Sequence, residues 1–141
     1  MTKYINPAAV GTRQPRLDGP VKVSGRAMFT DDVRLPGMLH GKILRSRHKH
    51  ARIVSLDTAK AEALPGVRAV ITAADAKGIY ATQNEPAICG TVTRYIGEEL
   101  AAVAAIDEAT AAHALELIEV EYEVLPAVTT IRDSLKPGAP Q

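Results

Sequence analysis

Between Leu100 and Val124 the apolar residues change their spacing twice, and no other feature of the chain restricts its fold so tightly. Leu100–Ile106 is an unbroken run of small apolar residues, which suits a buried strand. Asp107 follows as a helix cap, with Glu108 in the first turn, where the positive end of a helix favours a carboxylate. Ala111, Ala114, Leu115 and Ile118 then fall at i, i+3, i+4 and i+7, one stripe along a helix. From Ile118 through Val120, Tyr122 and Val124, apolar positions alternate with Glu119, Glu121 and Glu123, the period of two that belongs to a strand. Leu125-Pro126 stops it.

The first half repeats that order. Leu39–Leu44 and Arg52–Leu56 are β-prone, with a basic connector between them. Thr58–Leu64 reads as a short helix capped by Asp57 or Thr58 and ended by Pro65-Gly66. Val67–Thr72 is a strand, and Thr72 or Asp75 starts one more helical turn. From Lys77 to Thr93 the pattern disappears, and Gly78, Gln83-Asn84, Pro86 and Gly90 mark a long loop of the kind that carries function. Residues 1–37 are punctuated by Gly, Pro and charge and read as an extended arm, with Val21/Val23 and Ala27/Phe29 as two short extended pieces around Gly25. Residues 38–128 form the regular domain, and 129–141 a linker. Strand–helix–strand twice over gives an α/β or α+β domain in which both helices cover one face of a sheet.

A chain of 141 residues fits one domain. With four Tyr, one Phe and no Trp, its core must come from Val, Ile, Leu and much Ala. Such a core buries little area per residue, so modest stability alone, or a partner surface completing it, is expected. The formal charge of +1 hides an asymmetry: residues 1–54 hold eleven Lys/Arg against three Asp/Glu, and residues 55–141 hold six against thirteen. Halves that fold together make this a complementary pair of surfaces, not a basic patch for nucleic acid. Cys89 is the single cysteine, which excludes an internal disulfide and any zinc or iron–sulfur site built from several thiolates. No signal peptide and no membrane span is read, so the expected location is the cytoplasm.

None of the chemistry-bearing clusters makes a site on its own. His48-Lys49-His50 supplies two imidazoles where zinc needs three or four ligands. Arg45, Arg47, Lys49 and Arg52 lack the interleaved aromatics of a single-strand binder, so an acidic face of the same protein, or water, is the expected neighbour. Glu119, Glu121 and Glu123 share the polar face of a strand, and nothing drives their pKa values apart as an acid–base pair requires. Glu98-Glu99 and Asp31-Asp32 are isolated, too few for a calcium site. No phosphate-binding Gly motif is present. Cys89 has no base near it in sequence and reads as inert. No catalytic residue, cofactor-binding residue or metal ligand is therefore assigned.

A set of short strings in fixed order carries a resemblance. They are Val10-Gly11-Thr12-Arg13, Lys22-Val23-Ser24-Gly25-Arg26-Ala27, Leu35–His40, Gly41–Ser46, His50–Ile53, Leu64–Val67, Arg94-Tyr95-Ile96-Gly97-Glu98, Ala101–Ala105 and Val120–Pro126. Together they resemble the α/β-hammerhead domain of the molybdenum-binding subunit of xanthine dehydrogenase/aldehyde oxidase-type enzymes, over nearly the whole chain. Ala101–Glu108 and Tyr122–Pro126 are similar to the 4-hydroxybenzoyl-CoA reductase branch. Arg47 departs from the usual Pro, which would loosen the turn before His48, and Glu99 departs from the usual Pro or apolar residue.

The resemblance implies an α+β hammerhead, a mixed β-sheet covered by two main helices. It also implies membership of a molybdopterin-dependent oxidoreductase, a hydroxylase or dehydrogenase, whose cofactor contacts and catalytic glutamate lie downstream of this domain. The chain alone is then expected to bind no cofactor and to be inactive. It is read as a fragment, a separately made domain or a small subunit. Its partners are expected to be downstream molybdenum-binding domains or a subunit carrying them, with iron–sulfur and flavin subunits, and neither nucleic acid nor membrane. By position, Gln83, Asn84, Glu85 and Pro86 in the long loop are candidates for a substrate-channel wall. A free-standing interaction module reusing the fold is the competing reading.

Overall fold

The structure, a computed structural model, describes residues 11–82 and 85–140. The chain divides into two compact units, Met1–Pro36 and Gly37–Gln141.

In the first unit Val21 and Val23 lie on a helical turn, α1 (Gly19–Val23), and not on an extended piece. Pro20 supplies a backbone angle already set for a helix start, and Lys22 and Arg16 both pair with Asp18. Those two cations hold the Asp18 carboxyl below the usual carboxylate range. Gly25, at φ +71°, turns the chain left-handed just past the helix, a conformation that costs glycine little. A single 3₁₀ turn follows at Thr30–Asp32. None of residues 11–36 is buried, so the described part of this unit has no core of its own.

The second unit contains β1 (His40–Arg45), β2 (Ala51–Asp57), α2 (Ala59–Glu62), β3 (Val67–Thr72), β4 (Val92–Thr93), β5 (Glu99–Ala105), α3 (Glu108–Leu117), β6 (Glu119–Val124) and α4 (Ile131–Ser134). The α+β class is the expected one. The strands, however, form two separate three-stranded sheets, β1-β5-β3 and β4-β2-β6, and every pairing is antiparallel. The single mixed sheet is thereby corrected. Strand–helix–strand order permits a parallel crossover, but strands adjacent in sequence here go to different sheets, and each pairs with a distant antiparallel neighbour. Two smaller differences concern the segments outside the two main motifs. Val92–Thr93, read as loop, pairs with Ala51 and Arg52, and residues 131–134, read as linker, form α4.

Helices α2 and α3 cover one face of the first sheet, and α2 also packs on α3. Strand β5 is the centre of that sheet, with Leu100, Ala101, Val103 and Ala105 buried. Ala61, Ala101, Val103, Ala114 and Ile118 make the core cluster, and Leu56 and Val120 of the second sheet pack against it. Among the described residues only Leu100, Val103 and Thr93 are large and fully buried. The expected Ala-built core is present, and small side chains are what allow α3 to lie close to the sheet.

Helix α3 begins where the sequence placed it. Asp107 is extended, and its carboxylate accepts the Thr110 backbone N–H at 2.7 Å. It ends at Ile118, whose ψ of 118° already belongs to a strand. That residue closes the helical stripe and opens the alternation, so helix passes into β6 without a connecting loop.

Two outcomes follow from this packing. Ala114→Leu, placed in the seam without free volume, lowers unfolding free energy by about 1–3 kcal/mol in urea titrations, whereas Glu116→Ala on the exposed side of the same helix changes it little. The Thr110 amide and hydroxyl hold the Asp107 carboxyl below the usual carboxylate range. Its cap therefore stabilises the fold above the ordinary Asp value and is lost as pH falls through the lowered folded one. Asp107→Asn flattens the acid limb of a stability–pH profile below about pH 4.

Candidate functional site

The Arg94–Glu98 string builds the corner that leads from β4 of one sheet to β5 of the other. Gly97, at φ +95°, supplies the left-handed turn. Glu98 is buried at 3% exposure, yet fully answered. Its carboxylate accepts the Arg94 backbone N–H at 2.5 Å and the Arg94 guanidinium through Nη2 at 2.8 Å and Nε at 3.2 Å. The Glu98 side chain also lifts the Arg94 pKa above its ordinary value. Around the corner, Ser46 and Gly97/Glu98 exchange backbone bonds of 2.9 Å. Arg45 donates to the Gly97 carbonyl at 2.7 Å and to Glu99 at 2.5 Å. Glu99, the departure from the family pattern, thus has an ion-pair partner on β1.

Each cluster weighed from the sequence has a specific place. His48 meets the Tyr122 ring edge-on at 4.7 Å between centroids. The Nδ1 of His50 contacts the Pro126 carbonyl at 2.6 Å, and since a carbonyl only accepts, Nδ1 carries the proton. The two imidazoles are committed to different neighbours and do not converge. Arg52 pairs with Glu123 at 3.0 Å, Lys60 with Glu119, and Lys42 with Glu108 at 2.6 Å. The pairs Lys42–Glu108, Arg45–Glu99 and Arg52–Glu123 join the basic half of the sequence to the acidic half. The Ser46 hydroxyl accepts the His48 N–H at 3.2 Å and donates to its carbonyl at 3.1 Å. It holds the turn in which Arg47 stands in place of the usual Pro. Burial raises the Cys89 thiol pKa, and Sγ donates to the Val92 carbonyl at 3.1 Å, as suits an inert cysteine.

The long loop is more ordered than its composition suggests. Tyr80 and Pro86 form an antiparallel bridge, with Ala81 N–H to the Glu85 carbonyl at 2.9 Å and Ala87 N–H to the Ile79 carbonyl at 3.0 Å. Glu85 and Pro86 are exposed on this doubled-back segment, as are Ile79 and Tyr80. Gln83 and Asn84 lie outside the described residues. At its far end, Cys89 N–H binds the Glu99 carbonyl at 2.7 Å. A β-carbon on Gly90 would meet the Ala73 methyl at 2.7 Å, so that residue is glycine for close approach.

Two small antiparallel sheets, one covered by a helix pair and joined to the other by a salt-bridged corner, define an α+β module of the hammerhead kind. Residues 24–126 match the family described as aldehyde oxidase and xanthine dehydrogenase, a/b hammerhead domain, and the chain belongs to that family. The chain is 44% identical over 128 residues to a probable xanthine dehydrogenase subunit of Bacillus subtilis, an alignment covering 88% of this chain and 17% of that protein. It is 36% identical over 138 residues to the xanthine dehydrogenase molybdenum-binding subunit of Escherichia coli O157:H7, covering 88% and 18%. Reconstituted CO dehydrogenase from Oligotropha carboxidovorans superposes with a TM-score of 0.87 at 40% identity, over 92% of this chain and 17% of that one. The chain thus spans less than a fifth of the length of these relatives.

Among the described residues no cluster of side chains is arranged to ligate a metal ion: no three His, Cys, Asp or Glu side chains gather, and no buried side-chain nitrogen or oxygen lacks a partner. No helix of the described residues is long and apolar enough to cross a membrane.

The corner gives a direct test. Glu98→Gln removes the ion pair while keeping the shape, and should cost about 1–3 kcal/mol of unfolding free energy by chemical denaturation.

Proposed function

We propose that this chain is the hammerhead module of the large subunit of a molybdenum hydroxylase-type oxidoreductase in the cytoplasm. In that enzyme it acts as scaffold and supplies one wall of the substrate path, while cofactor and reaction belong to other parts of the protein. One observation carries the reading: a family match over residues 24–126 in a chain that spans less than a fifth of the length of its relatives. Residues 38–128 are taken as the module, preceded by the arm and followed by the connection toward molybdenum-binding domains. Iron–sulfur and flavin subunits take the electrons onward.

The wall is assigned to the loop around Glu85 and Pro86, continuing through Gln83 and Asn84. Its support is the doubled-back geometry, which holds exposed Ile79 and Tyr80 on an ordered segment. A wall residue acts by shaping access and touches no reacting atom. In the assembled enzyme, replacing residues 79–87 by a Gly/Ser segment therefore raises KM by about tenfold or more through lost uniform binding, with kcat nearly unchanged. An unaltered KM and substrate preference would remove the wall assignment. The 141-residue chain purified alone should contain no stoichiometric molybdenum by elemental analysis and oxidise no aldehyde or N-heterocycle.

A further inference from the structure

Beside the inter-sheet corner lies an open cleft of about 570 Å³, lined by Lys49, His50, Arg94, Tyr95, Ile96 and the segment from Pro126 to Thr129. Pro140 also reaches it, and among the described residues no side-chain carboxylate lines it. Arg94 gives Nε and Nη2 to Glu98 and keeps its Nη1 donors. Partial burial, then the charges of Glu99 and Glu98, raise the Tyr95 phenol pKa, so it remains protonated and able to donate at neutral pH. The His50 ring is fixed through Nδ1 on Pro126.

The opposite wall is backbone. Leu125 N–H still reaches the His50 carbonyl at 2.9 Å, but beyond it the amides of Ala127, Val128 and Thr129 donate to no backbone carbonyl among the described residues. The segment continues past β6 without regular structure and offers a short row of free backbone groups. Tyr95 and Ile96 are 47% and 60% exposed and give the cleft an apolar side.

We propose that this cleft docks an extended acidic polypeptide segment, one in which carboxylates alternate with apolar side chains. Its main chain bonds to alternate free amides of residues 127–129 in the manner of an added strand. Its carboxylates meet Lys49 and Arg94, and its apolar side chains rest on Tyr95 and Ile96. Charge complementarity selects an acidic segment over a basic one. A small anion would leave the apolar side and the free backbone unused. A nucleic-acid strand finds a single aromatic platform where successive bases need several. The inference goes beyond the scaffold reading, and its failure leaves that reading intact, because the family match does not depend on this cleft.

The test is an amide chemical-shift titration of the full isotope-labelled chain. The probes are the blocked peptide Glu-Val-Glu-Val-Glu, its Gln-for-Glu counterpart, inorganic phosphate and an oligothymidine. The acidic peptide should give saturable shifts at Lys49, Tyr95, Ile96 and residues 127–129, with weakening as NaCl rises to about 0.5 M. Lys49→Glu should weaken binding by about fivefold or more. Ile96→Glu, at an equally open position, should do the same with the rest of the spectrum unchanged. Four results would each overturn the proposal: no saturable shift with the acidic peptide, equal binding of the Gln peptide, full competition by phosphate alone, or preferred binding of the oligothymidine.

Discussion

The structure depends on how closely α3 can approach β5. Ala101 and Val103 from the strand and Ala114 and Ile118 from the helix meet in one cluster with Ala61 of α2. Larger side chains would hold the layers apart, and smaller ones would leave gaps that forfeit dispersion contacts. Because each alanine buries little area, the energy of this core comes from its closeness and not from the size of its residues. The same seam orients what lies outside it. Leu56 and Val120 reach in from the second sheet, so helix packing on one sheet also sets where the other sheet sits.

Polar order is concentrated at the opposite end of β5. Glu98 is buried with its charge answered three times by Arg94, and Arg45, Ser46 and Gly97 close the surroundings. Breaking such a buried pair is costly, since one charge is left without compensation. Here it fixes the angle at which one sheet leads into the next. The string that carries much of the family resemblance is thus structural in this chain. It positions the loop that ends at Cys89 and the cleft beside Tyr95.

Local elements were legible wherever the spacing of apolar residues was strict. Val67–Thr72 is the strand its apolar run announced, the Asp107 cap is made, and Glu119, Glu121 and Glu123 stand on the exposed face of β6 as their alternation required. Short elements escaped. Val92–Thr93 has no period to detect in two residues and becomes a strand only because Ala51 and Arg52 lie beside it. Thr130, which accepts the Asp133 N–H at 3.1 Å, was a readable cap for α4, hidden by the Pro and Gly that follow. Val21 and Val23 looked extended because β-branched residues favour strands, but Pro20 and the turn at Gly25 close a helix around them. The cleft could not be foreseen, because Lys49, Arg94 and Val128 are brought together from three distant stretches of chain.

The sequence by itself determined the kind and order of the longer elements, the small-residue character of the core, the absence of a thiolate cluster, and the family. These follow from period, composition and local chemistry, which act between neighbours along the chain. Only the tertiary structure decided that six strands divide into two antiparallel sheets, that Glu98 is buried against Arg94, and that Lys42, Arg45 and Arg52 pair with Glu108, Glu99 and Glu123. Those outcomes rest on which distant surfaces match in shape and charge, and no interval counted along the chain carries that information.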